Sequence, residues 1–171
     1  LLIGSFMDYV VHRSFHTFDR MWYFHVIHHD TPHMHIMKSA RVHFGEEVIN
    51  SAIKPLPLIL LGAPTEIVVF LGMWTVFDGN MVHANIHQRF PAWFHYVLGT
   101  VHLHNLHHAK DRKYQDSNYS GSVPLWDILF RTYNHPDHSE MGDLGLADNP
   151  VPRGFIRQVF FPFSAQFRLK H

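Results

Sequence analysis

The chain has 171 residues, a length that suits one domain, and its 14 Lys and Arg balance 14 Asp and Glu. This neutral balance gives no electrostatic reason to bind nucleic acid. The absence of cysteine excludes disulfides, iron–sulfur clusters, thiolate zinc sites and cysteine nucleophiles. Eighteen histidines in a sequence that is 46% hydrophobic indicate a packed, metal-binding helical protein, not a disordered histidine-rich tract.

The first predicted elements are helices that carry histidines. Residues 1–11 are mostly apolar and predict a helix that runs into His12. This run has neither an initial Met nor a signal-peptide pattern, so we expect the true N-terminus, including a membrane helix, to precede residue 1. Residues 15–29 contain no Pro or Gly and predict a second helix, which Thr31-Pro32 ends.

A predicted apolar hairpin follows, with arms over residues 45–62 and 64–87 and a turn at Gly62-Ala63-Pro64-Thr65. Each arm falls short of the ~20 apolar residues of a membrane span, so a buried hairpin of a soluble protein is the alternative. The basic residues outside the hairpin lie on the histidine side, as the positive-inside rule requires. We therefore predict two membrane crossings and an integral-membrane protein whose histidines face the cytoplasm.

The remaining elements are shorter. Residues 110–113 are charged, residues 117–121 predict a loop, and residues 125–133 predict a short amphipathic helix. Residues 134–152 are rich in turn residues and predict a surface loop. The aromatic segment 155–167 either packs into the core or lies at a membrane interface.

Four histidine motifs, HRSFH, HVIHH, HANIH and HNLHH, repeat the order HxxxH then HxxHH. Positions i, i+3 and i+4 share one helix face, so these motifs present two and three imidazoles respectively. One ion takes roughly four to six ligands, so the full set suits two ions with about five each. The predicted ligands are His12, His16, His25, His28, His29, His83, His87, His104, His107 and His108. We expect the other histidines at the surface or around the ligands, with His43 and His102 as the nearest to the motifs.

The predicted ligand set is nearly all nitrogen, which suits Fe, Zn, Cu or Ni. A zinc hydrolase keeps three protein ligands and one water, far fewer than this set offers. A pair of redox metals that activates O₂ at an open coordination position explains this ligand set better than a zinc hydrolase does. Acids and carbonyls should orient the rings from outside, and the acidic candidates are Asp8, Asp19, Asp30, Asp78 and Asp111.

The order of the four motifs resembles the fatty acid hydroxylase / sterol desaturase superfamily of integral-membrane di-iron oxygenases, in particular its bacterial sterol desaturase-like members. Further matches are Arg41-Val42-His43, Val82-His83-Ala84-Asn85, Asn118-Tyr119-Ser120-Gly121 and residues 125–133. The resemblance covers a histidine core of about residues 8–133. It implies an all-α fold in one domain over residues 1–171, in which a membrane helical bundle carries a cytosolic helical cap around the dimetal centre.

The resemblance also implies an activity. The ten histidines would bind two iron ions, which zinc can replace in purified protein. O₂ and two electrons would then convert a C–H bond of a lipid, such as a fatty acyl chain or a sterol, into C–OH or, after a second abstraction, into C=C. The sequence has no recognisable redox module, so a separate electron-transfer protein is expected to dock near residues 110–113.

Two other functions are compatible with the sequence. A carotenoid ring hydroxylase uses a similar histidine set, although the HxxxH spacing here favours the lipid enzymes. A non-catalytic membrane protein that binds metal would need neither an apolar substrate cavity nor an electron donor.

Overall fold

A computed structural model describes residues 1–86, 90–136 and 142–164. Within these ranges the chain forms no strand, and one isolated antiparallel bridge joins Ala109 to Leu144. The predicted all-α class is therefore confirmed for this part of the chain. Short 3₁₀ helices cover Ile36–Ala40, Ala92–Tyr96 and Phe161–Phe163. The α-helices are α1 (Leu2–Thr17), α2 (Asp19–His29), α3 (Phe44–Ile53), α4 (Leu56–Leu60), α5 (Thr65–Val82), α6 (Val101–His107), α7 (Arg112–Gln115), α8 (Leu125–Leu129) and α9 (Phe155–Phe160).

The first two helices meet at a sharp break and pack against each other. Phe18 is extended, with φ −106° and ψ 119°, so α1 continues through His16 and α2 begins only at Asp19. The acidic Asp19 in the first turn of α2 is favourable at a helix N-terminus. As a result the first HxxxH and HxxHH motifs lie on two helices that face each other.

The predicted hairpin differs from the observed one in both arms. Pro55 and Pro57 cannot donate to the carbonyls one turn earlier, so the first arm divides into α3 and α4. The second arm ends at Val82, not at residue 87. Among the described helices, none combines the length and the hydropathy that a membrane crossing needs. The predicted pair of membrane-crossing arms is thus not found among them.

The C-terminal aromatic segment is partly core and partly surface. Phe161 is buried and packs with Trp22 and Val26 of α2. In contrast, Phe155 and Phe160 expose 78% and 64% of their surface. Core packing therefore holds for Phe161, while contact of the exposed side chains with a membrane interface stays a prediction.

The loop between α7 and α8 is held by one buried carboxylate. Asp127, which is 1% exposed, accepts hydrogen bonds from the backbone N–H of Tyr119 at 2.9 Å and of Ser120 at 2.8 Å. The Thr132 hydroxyl donates to the same carboxylate at 2.7 Å. Asn118 turns the chain with φ 53°, a conformation that Asn tolerates well. This clamp fixes the carbonyls of the loop that reach the histidines.

Candidate metal centre

Nine of the ten predicted ligands lie together in two groups. His87, the tenth, lies outside the described residues. Within each group, one nitrogen of every ring is within 4.8 Å of the others. The five-histidine group contains His12, His16, His25, His29 and His107, and the four-histidine group contains His28, His83, His104 and His108.

Helices α2 and α6 each contribute to both groups. On α2, His25 and His29 are four residues apart and join the five-histidine group, while His28 joins the other. On α6 the division is reversed: His107 joins the five-histidine group, and His104 joins the four-histidine group with His108, which caps the helix. Because each helix contributes to both groups, the two groups lie side by side. Motif spacing alone could not show which histidine belongs to which group.

The third motif is not helical in the described part. His83 is the C-terminal cap of α5, and residues 84–86 leave the helix. The helical argument for the spacing of His83 and His87 is therefore wrong. His83 still reaches the four-histidine group, because its Nδ1–H donates to the Gly79 carbonyl at 2.6 Å and turns Nε2 toward His28 and His104.

The rings of the five-histidine group are oriented from outside by oxygen acceptors. His25 Nδ1–H donates to Glu46 Oε1 at 2.8 Å, and His16 Nδ1–H donates to Asp116 Oδ1 at 3.3 Å. His12 and His107 donate in the same way to backbone carbonyls of the loop after α7, those of Tyr119 at 2.7 Å and Ser117 at 2.8 Å. An oxygen acceptor fixes the proton on Nδ1, so a neutral ring turns the lone pair of Nε2 inward.

The inward nitrogens fit a metal ion. His12 Nε2 and His25 Nε2 are 3.1 Å apart, although both rings already commit Nδ1–H to an oxygen. Two lone pairs at this distance repel unless a cation lies between them. The buried Nε2 atoms of His16 and His107 have no hydrogen-bond partner among the described residues. Adjacent ligands of one octahedral ion, at ~2.1 Å from it, lie ~3.0 Å apart, which matches this spacing.

Burial favours the neutral, metal-binding form of eight of the nine clustered rings. It lowers the pKa of His12 to about 3 and that of His83 to about 4. Burial, together with neighbouring imidazoles, also lowers the pKa of the remaining shifted rings well below the usual range. These are His16, His28, His29, His104, His107 and His108.

Two cations hold the C-terminal end of α2. Lys38 is fully buried and donates to the His28 carbonyl, and burial lowers its pKa to about 7. Arg41 donates to the carbonyls of Ile27 and Asp30 and forms an ion pair with the Asp30 carboxylate at 2.9 Å. These bonds satisfy helix carbonyls that have no partner within the helix.

A cavity of about 1150 Å³ opens onto both histidine groups. Five of the clustered histidines line it, two from the five-histidine group and three from the four-histidine group. Apolar side chains such as Leu58, Val68 and Leu71 also line it. Asp8 and Lys54 form an ion pair in the same wall, with 2.5 Å between Oδ1 and Nζ.

The acidic residues that bond to the clustered rings were not predicted from the sequence. The carboxylates bonded to clustered rings are Glu46 and Asp116, neither of which was among the aspartates expected to orient them. His43, close to the second motif, instead accepts from Gly45 N at 2.8 Å and caps α3. Glu46 lies three residues beyond His43, but no pattern in the sequence distinguishes it from Glu47.

The sequence comparisons identify a family and several relatives. Residues 1–132 match the family model described as fatty acid hydroxylase. An ornithine lipid hydroxylase of Rhizobium tropici is 32% identical over 168 residues, which are 98% of this chain and 50% of the relative. An alkylglycerol monooxygenase of Caenorhabditis elegans is 24% identical over 96% of this chain and 32% of its own length. The human alkylglycerol monooxygenase is 26% identical over 75% and 28%, respectively.

The chain therefore belongs to the fatty acid hydroxylase family, as the motif order predicted. It spans half or less of the length of these relatives. No solved structure matches it.

Proposed function

We propose that the protein is a membrane-bound di-iron oxygenase that hydroxylates, or desaturates, a C–H bond of a lipid. The observation that carries the proposal is the cavity that joins both histidine groups to an apolar wall. Family membership and the names of the relatives, a lipid hydroxylase and lipid monooxygenases, support the same chemistry. A metal-storage site would have no need of such a cavity.

In this proposal the ten histidines of the motifs hold two irons, which, when bound, supply the activation of O₂. The histidines bind through the inward nitrogens, and Glu46 and Asp116 keep Nε2 of His25 and of His16 unprotonated by accepting the outer N–H. The apolar wall at Leu58 and Leu71 excludes water and aligns an alkyl chain so that one carbon faces the rings. The proposal also assigns delivery of the two electrons to a separate electron-transfer protein.

We propose a lipid with a polar head and an alkyl chain as substrate, with ornithine lipids and other acyl lipids as the first candidates. The Asp8–Lys54 ion pair lines the same cavity as apolar side chains such as Leu58 and Leu71, which supports a substrate of this mixed character. A membrane would present such a lipid.

Helix α5 supports membrane contact, because Phe70, Met73 and Phe77 each expose more than half of their surface. Arg41 and Arg112, beside the histidine groups, support a cytoplasmic orientation.

The test is lipid analysis of a host strain that expresses the full-length protein. We expect lipids that gain one oxygen atom, or lose two hydrogens, in cells with the wild type and iron in the medium. His28→Ala should abolish this change and lower the iron content. His33→Ala is the matched control, because His33 is exposed and outside both groups, and it should retain both.

Two results would contradict the proposal. If His28→Ala retained full lipid oxidation, the histidine groups would not be the reactive centre. If the wild type bound two metals but changed no lipid, with electron donor supplied, the protein would be a metal-binding protein without catalysis.

A further inference from the structure

We propose that the two histidine groups are inequivalent metal positions, and that Glu46 and Asp116 make the five-histidine group the tighter one. The inference rests on the proposed function, since it takes both groups as metal positions. It concerns which position fills first and which residues outside the ligand set decide this.

The five-histidine group has nearly complete support from outside. Four of its rings donate Nδ1–H to an oxygen, and two of these oxygens belong to carboxylates. A carboxylate acceptor makes the opposite nitrogen a stronger ligand and places a negative charge near the cation. Glu46 is 4% exposed, so water screens its charge little, whereas the side chain of Asp116 is 39% exposed. Glu46 should therefore have the larger effect.

The four-histidine group lacks this support. His83 donates to a backbone carbonyl, but the buried Nδ1 atoms of His28 and His108 have no partner among the described residues. A basic side chain lies beside this group instead, because Lys38 donates to the His28 carbonyl. Lys38 repels a cation when it is protonated and supplies no anion when it is neutral. His87, if it is the tenth ligand, would add a nitrogen but no negative charge.

The experiment is a titration of chelator-stripped, full-length protein in mild detergent with Zn²⁺, followed by competition with a metal-binding dye. We expect two binding events whose affinities differ by about tenfold or more. His107→Ala should remove the tighter event and His108→Ala the weaker one. These neighbours on the chain belong to different groups, so they assign each event to a position.

Glu46→Gln retains the shape of the side chain but removes its charge. It should weaken the tighter event by about 10–100-fold and leave the weaker event unchanged. Glu47→Gln, the exposed neighbour on α3, is the matched control and should change neither event. Circular dichroism checks that each variant is folded. If Glu46→Gln does not fold, Asp116→Asn replaces it, with a smaller loss expected at the same event.

Equal affinities in the wild type would overturn the inference, and so would equal weakening of both events by Glu46→Gln. An unchanged tighter event in every folded carboxylate variant would also overturn it. Binding of no Zn²⁺ at all would instead contradict the dimetal centre of the proposed function. The two failures are therefore distinguishable.

Discussion

Burial lowers the pKa of eight of the nine clustered imidazoles, because it penalises their charged form. An unfolded His takes up a proton near pH 6.5, whereas His12 and His83 in the folded chain do so only at about 3 and about 4. Between these values the unfolded state binds more protons, so the free energy of unfolding must fall as the pH falls. Each such ring contributes up to ~1.4 kcal/mol per pH unit.

We therefore predict that the melting temperature of the metal-free protein decreases steadily from about pH 6.5 to about pH 4. Thermal unfolding after chelation, followed by circular dichroism, measures this dependence. His83→Gln removes one of the titrating rings, so its curve should be shallower than that of the wild type. A melting temperature that stays constant over this range would show that the rings are not held neutral by burial.

At the scale of single residues, the sequence could predict nine histidines that cluster, but not the acids that bond to them. Helix periodicity places His25 and His29 on one face, so spacing alone selected them. Glu46 is 21 residues from His25 in the chain, and Asp116 is 100 residues from His16. Which acid meets which ring depends on how α3 and α7 pack against the first two helices, and no local pattern encodes that packing.

Among the elements, α2 carries three of the nine clustered histidines, and its end is fixed by side chains from the 3₁₀ helix Ile36–Ala40 and the residue after it. Lys38 and Arg41 satisfy the last carbonyls of α2, which include that of His28 itself. Loss of a buried donor leaves a carbonyl unpaired, at a cost of ~1–3 kcal/mol. The position of His28 should therefore depend on this cap.

We predict that Lys38→Met increases amide hydrogen exchange at residues 27–30 and leaves exchange along α1 unchanged. Met is similar in length but cannot donate, so the change isolates the hydrogen bond from the packing. Exchange measured by mass spectrometry on the metal-free protein reports each helix separately. Lys113→Met is the control, because Lys113 lies on the exposed surface of α7, away from this cap. Unchanged exchange at the end of α2 would mean that Arg41 alone holds it.

Element types were more predictable than element ends. The prolines that divide α3 from α4 are visible in the sequence. Each lacks a backbone N–H, so each removes a hydrogen bond from the helix. The break at Phe18 has no such signal, because the segment around it contains neither Pro nor Gly. The end of α5 at Val82 was also missed, since His83 and His87 have the spacing of a helical pair.

For the whole molecule, the decisive feature is the cavity, which no single element contains. Its lining comes from α1, α3, α4 and α5 together with the histidine groups. The cavity exists because of how these helices are placed relative to one another. The motif spacing could therefore predict the clustered histidines but not the cavity beside them. We therefore expect substitutions in the apolar part of the lining to alter the cavity without altering the histidine groups.

Val68 and Val69 are adjacent on α5, but only Val68 is among the side chains that line the cavity, while Val69 is 54% exposed. We predict that Val68→Trp reduces lipid oxidation at least about tenfold, because the indole occupies space that the alkyl chain needs, and so removes binding that aligns the substrate. Metal content should stay at the wild-type level. Val69→Trp adds the same side chain at the surface and should retain activity. If Val68→Trp remained fully active, the substrate would have to reach the histidines by another route. If it lost metal as well as activity, the wall and the metal centre would not be independent parts of the molecule.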